Sequence, residues 1–348
     1  MIRKTLAVAA VAGMALSMAN AAEARDQIRI VGSSTVFPFS TAVAEQFGKT
    51  TKFKTPVVES TGSGGGLKLF CAGIGAQHPD MTNASRRIKK SEVERCAKNG
   101  VTDVVEVKVG YDGIVIANSK ASPQMKITRE QLFLALAKDV PAGEGKLIPN
   151  PNKTWKDVDA SLPDIKIEVL GPPPTSGTRD AFVELGMQAG ARGIACMDAL
   201  HDADGDRFEG IASRIREDGR WIDAGENDNA IVQTLVNTPD AFGVFGYSFL
   251  DQNYDRLTGV MIEGVEPEFD AISDGSYPVS RSLFFYVKNQ HAAIVPGLAE
   301  YVEEFTSDEA WGEFGYLTDR GLIPLHEDER MAVRDAAVSL TAMTHAPE

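Results

Sequence analysis

The sequence is poor in cysteine, with three in 348 residues at positions 71, 96 and 196. That is too few for a disulfide-built scaffold, and the odd count permits at most one internal bridge. Cys71 and Cys96 lie in the same segment and are the expected pair, leaving Cys196 free; three separate thiols is the alternative. Basic residues are also scarce, 35 Lys and Arg against 49 Asp and Glu, for a formal charge of −14. No Lys/Arg block interrupts this acidic balance, which argues against nucleic acid and anionic lipid as partners. Beyond the first 24 residues no apolar run is long enough to span a bilayer, so the chain does not read as an integral membrane protein. The five histidines form no His/Asp cluster at metal-ligand spacing, and neither a metal nor a cofactor is expected. Internal repeats and low-complexity tracts are absent.

Catalytic motifs are missing as well. Thr61 stands where a Gly-x-Ser-x-Gly elbow needs its first glycine, and no motif ties His78, His201, His291, His326 or His345 to a serine. No catalytic residue is assigned, and a phosphoester hydrolase is a remote alternative. "DADGD" at Asp202 is no EF-hand, because Arg207 and Ser213 replace its glycine and its bidentate glutamate; it reads as a solvated acidic turn. The glycine loop is no nucleotide P-loop either, since Leu69 follows Lys68.

What is present begins with an export signal. Arg3 and Lys4 precede an apolar run from Leu6 to Met18 and Ala-x-Ala sites ending at Ala21 and Ala24, the pattern of a secretory signal peptide over residues 1–24. Removing it takes out two cations and Glu23 and carries the formal charge from −14 to −15. The length suits two domains. Short apolar strands alternate with capped amphipathic helices, an α/β pattern. "QIRIVG" reads as a strand, after which Pro38 opens a helix with Phe39, Val43 and Phe47 on one face. "TPVVES" is a second strand, with a helix from about Leu67. Ser91 with Glu94, and Thr128 with Gln131, are capping-box pairs, and Gly100 ends the first of those helices. Ile165 to Gly171 is a strand, Arg179 to Met187 a helix, and another helix starts behind Asn227 or Asp228. "FGVFGYSFL" and "SLFFYVK" are buried strands.

Three strand-to-helix loops share one chemistry: "GSST" from Gly32, "TGSGGG" from Thr61 and "TSGT" from Thr175. Each sets small hydroxyls and bare backbone N–H groups at a helix start, where unpaired donors and the helix dipole favour an anion. Together they describe a site for a tetrahedral oxyanion.

"GSSTVFPF", "STGSGGGLKLF", "NASRRIK", "PTSGTRDAF", "AFGVFGYSFL" and "YPVSRSLFFYV" occur in this order along nearly the whole chain. The set resembles the periplasmic phosphate-binding proteins of bacterial phosphate ABC transporters. The resemblance implies a type II periplasmic-binding fold, two α/β lobes joined by a two-stranded hinge near "VGYDGIVIAN" and "YPVSRSLFFYV". Lobe I would be residues 25–115 with 280–348, and lobe II residues 116–279. It implies capture of inorganic phosphate in the cleft and delivery to a membrane permease, with the same fold holding sulfate or molybdate, or acting as an anion-sensing receptor, as alternatives. Carried over by position, the phosphate ligands are Ser34, Thr35 and the Val36 amide, then Ser63 and Gly64, then Ser176, Gly177 and Thr178. Two departures add cations: Arg86 stands where the best-known members have an aspartate, and Arg179 follows Thr178 while Pro172 occupies the usual arginine position. Both arginines are expected to clamp the anion. Ser85, Asp112 and Asn229 are further candidates, and Asp112 or Asp228 would accept the phosphate proton.

Overall fold

A computed structural model of the chain describes residues 25–225 and 227–344; the expected signal peptide lies outside the described residues. Among the described residues nine strands form one sheet that folds over as two halves. In chain order they are β1 (Arg29–Gly32), β2 (Val57–Ser60), β3 (Met81–Ala84), β4 (Val104–Ser119), β5 (Val169–Gly171), β6 (Trp221–Asp223), β7 (Phe242–Gly246), β8 (Leu257–Gly259) and β9 (Ser280–Lys288). The spatial order is β2-β1-β3-β9-β4-β7-β5-β6, with β8 also on β4. The helices that follow the loops of interest are α1 (Phe37–Thr50), α2 (Ser63–Phe70), α3 (Lys90–Lys98), α4 (Gly177–Phe182) and α5 (Asp228–Asn237).

The two-lobed arrangement follows from β4. Its first part, to Gly113, pairs antiparallel with β9, while Ile114 onward pairs with β7 and β8. One 16-residue strand thus serves both half-sheets. The register of β9 on β4 shifts between Leu283 and Phe284, opposite Gly110, whose φ is +154°. A side chain at Gly110 would strike the carbonyl of Ile323, so this bulge admits the C-terminal segment against the crossover.

Each half-sheet is apolar on both faces, as a sheet covered by helices on two sides requires. On β9, Leu283, Phe285 and Val287 join one core with Phe39, Val43 and Phe47 of α1, while Phe284 and Tyr286 face a second core with Leu67 and Phe70. In the other lobe Val169, Trp221, Phe242 and Val244 face one way, and Leu170, Phe245, Val115 and Ala117 the other. The Cys71–Cys96 disulfide is formed, and Cys196 is free and exposed.

Several local expectations hold and others shift. Pro38 lies in the first turn of α1, the Thr128–Gln131 capping box forms, and Asn227 caps α5. α2 begins at Ser63, not Leu67, and takes up the glycines. Gly66 explains it: a Cβ there would strike the Gly32 Cα, so glycine lets α2 rest directly on the end of β1. Close packing overrides the poor helix propensity of three glycines. The Ser91–Glu94 capping box does not form: α3 starts earlier, at Lys90, its N-cap Lys89 has no side-chain acceptor to give, and the Glu92 carboxylate takes the Lys89 N–H at 2.8 Å. "FGVFGYSFL" is a strand only to Gly246, and Tyr247–Asp251 is helical. The strand expected over Ile165 to Gly171 is confined to β5. The helix expected over Arg179 to Met187 starts at Gly177 and widens into a π-helical turn after Phe182. The acidic run at Asp202 joins two helices, with Asp204 capping the second.

Candidate functional site

The parallel strands β2, β1 and β3 end side by side, with Gly32 opposite both Ser60 and Asn83. Their three exit loops are therefore neighbours. The loop between β5 and α4 meets them from the other lobe: a Cβ on Gly177 would lie 3.2 Å from the Ser34 carbonyl oxygen and 3.4 Å from the Thr35 Cα. The lobes touch here, and glycine permits the approach.

A cavity of about 630 Å³ opens at this meeting point. The first lobe lines it with Ser34, Thr35, Phe37, Pro38, Phe39 and Ser60, the second with Thr175, Ser176, Gly177, Thr178, Asp228, Gly246 and Phe249. Asp112 from β4 and the C-terminal Asp319, Arg320 and Gly321 complete it.

The hydrogen bonds around the expected hydroxyls have a common polarity. Thr35 Oγ1 accepts from Arg281 Nη2 at 2.7 Å. Ser176 Oγ accepts from the Thr178 amide at 3.2 Å, and Ser63 Oγ from the Ser85 amide at 3.0 Å. Guanidinium and amide nitrogens only donate, so Thr35 and Ser176 each have an oxygen lone pair occupied and keep their proton to give away. Ser63 and Ser85 also share a hydroxyl–hydroxyl bond at 3.0 Å. α2 adds backbone donors, because Gly62 caps it without a side chain. The arrangement is a donor array, suited to a ligand made of acceptors.

Of the residues expected from sequence, the structure brings Ser34, Thr35, Ser176, Gly177, Thr178, Asp112 and Asp228 onto one cavity. Ser63, Gly64, Ser85 and Arg86 form an adjoining patch beyond Ser60; a Cβ on Gly64 would lie 4.0 Å from Arg86 Nη2. The Val36 amide donates to Ser33 Oγ at 3.3 Å, and its side chain is buried in the first-lobe core. Asn229 is exposed, its amide bonded to Asn227 Oδ1.

The two arginines differ from the clamps expected of them. Arg86 is engaged by both carboxylate oxygens of Glu92 at 2.9 and 3.0 Å, which raises its pKa. Burial alone would raise the Glu92 carboxyl, but bonds from Arg86 and Lys89 outweigh it and hold it low. Arg179 bonds the Pro172 carbonyl and Asp223 and lies over the Trp221 ring at 4.5 Å; burial pulls its pKa down. It borders a neighbouring hollow that shares Ser34 with the cavity. Neither arginine is on the cavity wall.

The cations that do approach the cavity were missed. Arg320 is on its rim. Arg281 stands behind Thr35 with its side chain 9 % exposed, its Nε bonded to Asp112 Oδ2 at 3.3 Å and its Nη1 to Glu184 Oε2 at 2.6 Å. Burial raises the Asp112 carboxyl, Arg281 opposing it and Glu184 adding to it. The available signal was an arginine directly before the run reading as buried strand, a position that demands partners. Among the described residues no group of three His, Cys, Asp or Glu is placed to hold a metal ion, and no helix is long and apolar enough to cross a membrane.

A family model described as PBP superfamily domain matches residues 18–309. A protein named SphX from Synechococcus elongatus is 31 % identical over 293 residues, 82 % of this chain and 75 % of that protein. A phosphate-binding protein PstS from Staphylococcus epidermidis is 31 % identical over 296 residues, 82 % of this chain and 77 % of that one. Among solved structures, one described as a possible phosphate binding protein from Planctomyces limnophilus superposes with a TM-score of 0.72 at 28 % identity, covering 90 % of this chain and 98 % of that chain.

Proposed function

We propose, from the premise that the chain belongs to the PBP superfamily, that it captures inorganic phosphate between its lobes and delivers it to the permease of an ABC importer. The N-terminal run of residues 1–24, cleaved after Ala21 or Ala24, would place it in the periplasm. The observation that carries the reading is the shared polarity of Thr35 and Ser176: loops from both lobes face one cavity with their hydroxyl protons free to donate. The relatives named for phosphate binding support it from outside the site.

Phosphate at neutral pH keeps a proton that sulfate lacks, so a selective site needs one acceptor among its donors. Asp112 takes that role: it lines the cavity, and Arg281 occupies only its Oδ2. Ser34, Thr35, Ser176 and Thr178 with the Gly177 amide form the seat. The Ser63–Ser85 patch and Arg86 extend it toward α2. Lobe boundaries at 25–115 with 280–348, and 116–279, accord with the change of partners along β4 at Gly113 and Ile114. Ligand would favour the closed form through contacts it makes with both walls at once.

Titration calorimetry with phosphate, sulfate, arsenate and molybdate tests the reading. Phosphate is expected to bind tightest, and Asp112→Asn to narrow its lead over sulfate. Equal or tighter sulfate binding by the unaltered protein overturns the specificity.

A further inference from the structure

We propose that Arg281 is a positioning residue that couples anion capture to lobe closure, holding Thr35 as a donor while latching the second lobe through Glu184. The ligand in this statement rests on the phosphate reading; the latch does not.

The geometry is a bridge of two bonds. Arg281, the second residue of β9, stands at the crossover and sends one guanidinium nitrogen to Thr35 on the first anion loop and another to Glu184, in the helical turn after α4 of the second lobe. The third bond, to Asp112, stays within the paired strands β4 and β9. Opening the cleft therefore breaks the Glu184 bond and leaves the other two. Because Asp112 remains, the buried guanidinium never loses its counter-charge, and the penalty of an unpaired buried cation does not arise. Glu184 is 59 % exposed in its side chain, so water takes over its carboxylate when it lets go. One side of the latch is fixed and the other releasable. The planar fork of arginine serves three segments at once in a way lysine does not.

The test combines interlobe distance with phosphate release. Dyes on the exposed native Cys196 and on Lys49→Cys in α1 report the distance by energy transfer, and stopped flow reports release. Glu184→Gln is expected to lengthen the ligand-free distance and to speed phosphate release about three- to tenfold. Glu184→Asp should recover part of both. High salt should lengthen the distance in the unaltered chain and have no such effect on Glu184→Gln. Arg281→Lys should speed release further, since Thr35 loses its partner as well. Unchanged distance and release in Glu184→Gln, with phosphate bound normally, overturns the latch and leaves the phosphate reading intact. A chain that takes up no phosphate but keeps the salt- and Glu184-dependent distance overturns that reading and leaves the latch standing.

Discussion

On the first lobe, Thr35 and Ser63 are held by bonds that come from other segments, Arg281 of β9 and Ser85 of the loop after β3; on the second, Ser176 is held by the Thr178 amide two residues along. Ser40 of α1 likewise reaches Asn83 of β3. The first wall is braced across its loops and by a disulfide between Cys71 and Cys96, whereas the second lobe contains the free Cys196. A seat assembled before the ligand arrives needs bracing that does not depend on the ligand. A wall that closes over it needs only local order and freedom to move.

Breaking the brace should give the largest effect. Reducing Cys71–Cys96, which are 25 residues apart, is expected to cost the first lobe about 3 kcal/mol through the entropy returned to its unfolded state. Hydrogen exchange resolved by peptide should show the loss in β1–β3 and α2 and spare β5–β7; equal loss in both lobes would remove the contrast. Next comes Thr35→Val, which takes a donor from the anion and a partner from Arg281. Its expected cost is about 2 kcal/mol in phosphate binding, near thirtyfold by calorimetry.

On the second wall Thr178→Ala removes one hydroxyl from the loop whose Ser176 is held by the loop's own backbone, and about 1 kcal/mol is expected by the same measurement. Gly177→Ala sharpens the contrast further. Its Cβ would press the Ser34 carbonyl at 3.2 Å, so the lobes should part slightly, with a few-fold faster release and an unchanged melting transition for each lobe. A cost larger than that of Thr35→Val would reverse the ranking of the two walls.

The smallest effect is on pH dependence. Burial raises Asp112 above 3.8, so the folded chain holds that proton more firmly than the unfolded chain does. This group's contribution to stability is complete below 3.8 and is lost as pH rises through the raised value. Binding runs the other way, since the ionised carboxylate is the acceptor. Phosphate-over-sulfate preference should therefore increase with pH across that window, and Asp112→Asn should flatten the profile.

Much of this was legible where local chemistry sets local structure. Pro38 with Phe39, Val43 and Phe47 specifies α1, Thr128 with Gln131 starts its helix, and the small hydroxyls of the loops point to an anion. What escaped depends on distance along the chain. Arg281 meets Glu184, Asp112 and Thr35 across 97, 169 and 246 residues, and no window of sequence contains such a group. Arg86 looked available because the bond it makes with Glu92 exists only once α3 starts at Lys90. The glycines of α2 read as a loop because the packing of Gly66 on Gly32 is a tertiary fact.

The most direct measurement is a crystal structure with arsenate, whose anomalous signal locates the ion without bias. Arsenic is expected between the loops of both lobes, with its oxygens bonded to Thr35 Oγ1, the Gly177 amide and the Thr178 hydroxyl, and one of them facing Asp112. Arsenate bound outside that cavity, or held by one lobe alone, would contradict a pocket built from both walls.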